Sequence, residues 1–228
     1  MLCGTIGVSL NVMQSERVMP PIPEAVYLPH NEPYLGRPAL LALDLAIPDA
    51  MRENLAIARH TFEIAKSPLQ DAVCELVPQT ISIALSVREL IRQAYLFSAV
   101  ILLRPMLERL ALVVYLHNNP ASVTAWHDGW KRNAQPSFDT LINHLVASNA
   151  GATDDAQRKQ FASLLHKVVH PDPAGAMWNA TRRDGLPAHA SGKLIDAPGV
   201  CDLCAEFTHR CLLHAVQVAS GVFPEAKL

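Results

Sequence analysis

Aromatic side chains are scarce in this chain: they make up 6% of its 228 residues, whereas half of the composition is hydrophobic. Leu, Ala, Val and Ile supply most of that half. Strand pairing favours aromatic and β-branched residues, so this aliphatic mix weighs toward interdigitated helices. An excess of one charge sign is also missing. Lys and Arg number 19 against 21 Asp and Glu, for a net of -2, and no affinity for polyanions or membrane surfaces follows.

A long hydrophobic run is absent as well. The longest, Tyr95 to Leu103, meets Arg104, Glu108 and Arg109 after nine residues. A membrane span needs about 20 apolar residues, and a charge at the bilayer centre costs roughly 2.5 to 3.5 kcal/mol. Cysteine is sparse and odd in number: Cys3, Cys74, Cys201, Cys204 and Cys211, with no secretory signal ahead of them. Reduced thiols in a cytoplasmic protein are the expectation. Glycine-rich phosphate loops, nucleophile elbows, paired-carboxylate motifs, internal repeats and heptad seams are all lacking. There remains enough apolar material for one large core.

Organisation follows from proline. Residues 1–47 carry Pro20, Pro21, Pro23, Pro29, Pro33 and Pro38, each removing a backbone donor and disfavouring helix in the residue before it. This stretch reads as a Pro-rich N-terminal arm, with Met13 and Met19 as alternative starts of a shorter chain. Residues 48–228 read as the helical domain. Pro48 opens a helix through Met51, Leu55, Phe62 and Ala65; Ser67 and Pro68 restart the chain into a short helix, a break or kink at Pro78 and a longer helix. The apolar stripe continues to Asn118, with a bend expected at Pro105. Shorter helices follow near 121–133 and after Pro136, and Thr153 with Asp154 and Asp155 marks the start of one that runs to about Val169. Prolines and glycines from Pro171 to Gly199 predict a loop of roughly 25 residues, long enough to be functional. A last helix covers 200–222, with Leu203, Phe207, Cys211, His214, Ala215 and Val218 down one side. The fold class expected is all-α, a compact antiparallel helical bundle.

Four residues stand out as candidate binding groups. Arg104 and Glu108 lie one helical turn apart in the most aliphatic stretch of the chain, so they are either a structural ion pair or the lining of a pocket for an anion. His166 and His170, spaced i, i+4 in SLLHKVVHPDP, project from one helix face with Asp172 beyond them. Their spacing suits a metal pair, but no zincin glutamate lies between them, and histidines at a helix end often serve as carbonyl partners. We assign them to binding and expect neither metal nor cofactor. Cys201, Cys204, His209 and His214 have zinc-knuckle spacing, yet on a helix they would point around its whole circumference; core thiols are the better reading. Trp126, Trp130 and Phe138 read as core or groove-lining residues. Arg182 and Arg183 precede His189 at a ribonuclease-like spacing. With 13 arginines and 10 histidines, roughly 1.7 such pairs arise by chance.

LLRPMLE at 102–108, Tyr115, Trp126 and VVHPDP at 168–173 resemble an uncharacterised bacterial helical-bundle family with LLRPxxE and VHP motifs. The resemblance covers roughly residues 70–180 and implies a helical bundle without a settled activity. More loosely the chain is similar to the HEPN superfamily, whose active members are metal-independent ribonucleases of toxin and phage-defence systems. In that family the motif's Arg and His occupy a late core helix and meet across a dimer. Here the formal match lies in the Gly/Pro loop.

Two functions are therefore expected. The first is a binding or interaction protein whose Arg104, Glu108, His166 and His170 shape a polar pocket for a small anion or a protein partner. The second is a HEPN-like endoribonuclease acting on RNA as a homodimer, with Arg104 or Arg183 stabilising the phosphorane and His170 or His189 as acid or base. Neither involves a membrane.

Overall fold

A computed structural model describes residues 32–131, 134–147, 155–170, 180–183, 186–189 and 192–226, the side chains of 155–158, 161 and the two short strands excepted. Among them are seven helices: α1 (Pro38–Thr61), α2 (Pro68–Arg92), α3 (Leu96–Asn118), α4 (Ala121–His127), α5 (Phe138–Ala147), α6 (Asp155–Val169) and α7 (Pro198–Val222). The chain is all-α in architecture, with one small antiparallel hairpin, β1 (Ala180–Arg183) and β2 (Leu186–His189).

Proline starts three of the four long helices. Pro38, Pro68 and Pro198 sit in the first turn of α1, α2 and α7, where the missing N–H would have had no intrahelical partner. At α2 a capping box adds to this: Gln70 N–H donates to Ser67 Oγ at 3.3 Å, and Ser67 N–H to Gln70 Oε1 at 2.9 Å.

Elsewhere proline does not break the chain. α1 begins at Pro38 rather than at Pro48, so residues expected in the arm are helical, and α2 runs through Pro78 as one helix, without the break that was one of the two outcomes expected there. An interior proline costs about 3 kcal/mol. Buried residues on both sides outweigh that: Leu40, Leu43 and Ala46 before Pro48, Ala50 and Ile57 after it, each apolar side chain contributing roughly 1 to 3 kcal/mol on burial. The arm before residue 32, and the cap residues Thr153 and Asp154, lie outside the described residues.

The turn between α2 and α3 is made without glycine. Ala94 has φ 63; its N–H donates to Ile91 O at 2.9 Å, and Tyr95 N–H to Leu90 O at 2.8 Å. These two bonds are a Schellman closure. So tight a connection folds α3 back antiparallel on α2, the most extensive helix pair in the molecule. α7 packs against α1, α2 and α3, and α5 and α6 lie on a flank of α3.

α7 buries a face that shares Cys211 and Ala215 with the one expected but is centred to one side of it. Its inner stripe is Cys201, Cys204, Ala205, Thr208, Cys211, Leu212, Ala215 and Ala219, while Leu203 and Phe207 are only half-buried. These mostly small side chains let three neighbouring helices approach closely, which large residues would prevent. The segment expected to be a long loop contains the hairpin, and its end is strapped to the bundle: Leu194 is buried, and its N–H donates to Ala94 O at 2.8 Å. Among the described residues no helix is long and apolar enough to cross a membrane.

Candidate functional site

α3 presents three sides to the bundle. Leu103, Met106, Leu107 and Leu110 are buried, and the flank beside them carries Arg104 and Glu108. Leu141, Ile142 and Leu145 seat α5 on that flank, and Leu165 and Val168 seat α6. This seating brings Phe138 and His166 to Arg104.

The contacts of Arg104 are specific. Its Nε donates to Glu108 Oε1 at 2.9 Å, and its Nη1 lies 2.9 Å from His166 Nδ1. A guanidinium only donates, so His166 Nδ1 accepts and its ring proton resides on Nε2. The guanidinium carbon stands 4.8 Å from the centre of the Phe138 ring, a cation–π contact. The side chain of Arg104 is 17% exposed and that of Glu108 40%. The couple thus lies at the rim of the core, turned neither fully inward nor out to bulk water. His170 joins through a ring contact, 4.2 Å between centroids with His166, and does not line the cavity below.

Beside Arg104 opens a cavity of about 720 Å³, whose polar and charged walls include Asp139, Asn143, Lys159, Ser163 and His166, with Phe138 and Ile142 as its apolar side. A second depression of about 320 Å³, lined by Gln79, Glu108, Arg109, Trp130 and Leu141, shares Phe138 as its wall. Arg109 orients it, donating from Nε to Gln79 Oε1 at 2.8 Å and from Nη1 to Pro105 O at 2.9 Å. Volumes of this order fit small molecules.

All four sequence-named residues therefore meet, but the site has more members. Lys159, Ser163 and His166 fall at i, i+4 and i+7 on α6, a spacing visible in the sequence once α6 is recognised. Phe138, expected in the core or lining a groove, lines both depressions. Nothing in local sequence marks Asp139 or Asn143.

The other candidates belong to other elements, the hairpin and α7. Arg183 pairs with Leu186 and His189 with Ala180 in the hairpin register. That is three rungs of the ladder, about 10 Å along the strands. The ribonuclease-spaced residues are thus in strands, where a loop was expected. Cys201, Cys204 and Cys211 are buried free thiols. Burial pushes Cys201 up to about 11 and Cys204 and Cys211 to about 12, which disfavours the thiolate that zinc requires. Among the described residues no group of three or more His, Cys, Asp or Glu side chains converges as a metal site would need. Tyr115, one of the resemblance residues, stacks edge-on against His144 at 4.9 Å.

No protein-family model matches the chain, no curated protein matches it, and no solved structure matches its fold.

Proposed function

We propose that this chain is a binding protein whose Arg104 cavity takes a small organic anion. One observation carries the reading: Arg104 spends Nε on Glu108 and Nη1 on His166, so its guanidinium is held rigid at the wall of a cavity that also contains Lys159. A fixed planar fork beside a second cation is the arrangement that recognises carboxylate or phosphate. Among the described residues Nη2 has no hydrogen-bond partner, and it is the donor offered to the ligand. Phe138 and Ile142 favour a ligand with a flat apolar part. The free thiols of α2 and α7 support a reducing, cytoplasmic setting.

Thermal-shift measurements with inorganic phosphate, citrate and benzoate test this. At least one should raise the melting temperature of the wild type and leave Arg104→Ala unmoved. The same substitution should weaken folding by no more than about 3 kcal/mol, because the pair it breaks is only partly desolvated. A wild type indifferent to every anion, or an Arg104→Ala protein that responds equally, sinks the proposal.

A second reading rests on the 2.9 Å approach of Arg104 to His166. An arginine beside a histidine suits metal-free RNA cleavage: the guanidinium stabilises the phosphorane formed as the 2′-oxygen, its proton lost to water, attacks phosphorus, and the imidazole gives its Nε2 proton to the 5′-oxygen as the P–O5′ bond breaks. Cleavage of RNA in excess chelator, abolished in His166→Ala, is the expected result under this reading. Intact RNA would leave the binding function alone.

A further inference from the structure

We propose that the outer face of α1 is a dimer interface, on which a second copy of this chain docks antiparallel about a twofold axis at the level of Ala50. The face is a continuous exposed stripe. Residues 38, 41, 45, 48, 52, 55, 59 and 62 are all exposed, and they alternate three and four apart, the spacing at which one helix lays a straight seam against another. Leu41, Leu45, Leu55 and Phe62 on this seam are 48–85% exposed, and Met51 flanks it.

Area is the first argument. With Leu35 and Ile64 at its two ends, the stripe leaves on the order of 800 Å² of apolar side chain in water. Summed along the seam, that is comparable to the roughly 800 Å² one partner gives to a standard stable interface.

Symmetry chooses the occupant. A twofold contact must be self-complementary, so each residue's partner has to lie on the same stripe. Reversing the stripe about residue 50 returns it to itself: 38 meets 62, 41 meets 59, 45 meets 55 and 48 meets 52. Leu45 of each copy then lies against Leu55 of the other, Leu41 runs along the aliphatic stem of Arg59, and Phe62 closes over the Pro38 end.

Charge agrees with this register. Asp49 and Arg52 are both about two-thirds exposed and are paired with each other across one turn. They straddle the axis, so in the antiparallel pair Asp49 of one copy comes within reach of Arg52 of the other, and the ion pair re-forms twice between subunits. A parallel pairing would instead set Asp49 beside Asp49.

Sedimentation equilibrium of the full chain should give twice the 24.9 kDa chain mass, and Leu45→Glu should weaken dimerisation at least 100-fold with the helical circular dichroism retained. Leu45→Ser serves the same purpose should the glutamate perturb folding. Register is read by cysteine cross-linking against a wild-type control: the Leu45→Cys, Leu55→Cys double variant should oxidise to a covalent dimer far faster than either single variant. A monomeric wild type overturns the proposal. So does a dimer indifferent to both Leu45 substitutions, or a Leu45→Cys single variant that links to itself as readily as the double variant.

Discussion

His214 has its Nε2 sealed from water and, among the described residues, unbonded. It lines a depression of about 360 Å³ with His117, Asn118 and Gln217, where the C-terminal halves of α3 and α7 meet. Burial lowers its pKa from the ordinary 6.5. The sign is fixed by linkage: the unfolded imidazole takes up a proton that the folded one resists, so stability is whole above 6.5 and falls as the solution is acidified through the folded value. Urea midpoints of the wild type should therefore decline from about pH 7 to pH 5, and His214→Gln should flatten that decline. An unchanged slope in the variant would show that the titration lies elsewhere.

At the scale of elements, Ala94 is the costly joint. A left-handed alanine gives up about 1 to 2 kcal/mol that glycine would not, but the Ala94 methyl is buried, and burying one methyl contributes roughly 0.8 kcal/mol. These terms nearly cancel, so Ala94→Gly should change stability by less than about 1 kcal/mol. Ala94→Val has no such compensation, because a β-branched side chain is a genuine outlier at positive φ. It should lose about 2 kcal/mol or more in chemical denaturation; a neutral valine would mean that the joint relaxes. The same joint explains what was legible in the sequence. Helix type and the ends at Val169 and Val222 follow from periodicity, whereas Ala94 carries no turn signal, and Pro48 and Pro78 carry false ones. Local propensity places a break there, and burial of Leu43, Ile47, Val77 and Ile81 overrides it. The α1 seam was missed for a related reason: Pro48, Arg52 and Arg59 interrupt its apolar residues, and only exposure reveals the spacing.

Over the whole molecule, the pairs that close the fold are far apart in the chain and have no local signature. Arg37 forms a bidentate pair with Asp202, holding that carboxyl below its usual range, and Arg88 reaches both Glu32 and Asp44. The Arg104 to His166 contact spans 62 residues; chemistry nominated its members, and packing of α5 and α6 on α3 brought them together. Tyr34 closes a loop nearly as long as that of Arg37 and Asp202. Its hydroxyl donates to Leu194 O and accepts from Ala197 N–H at 3.2 Å, joining the approach to α1 with the strap that leads into α7. Tyr34 is 3% exposed, so water cannot replace the lost hydroxyl, and Tyr34→Phe should cost about 1 to 3 kcal/mol, the penalty of leaving buried polar groups unpaired. Because the aromatic ring stays, the core beneath it keeps its packing, and the loss should be local. Amide exchange at Ala197 should accelerate well beyond that of the α2 and α3 core, where protection reflects global unfolding. If Ala197 exchanges no faster in the phenylalanine variant, the strap is held by the side chain of Leu194 and its bond to Ala94, and the tyrosine hydroxyl is incidental to it.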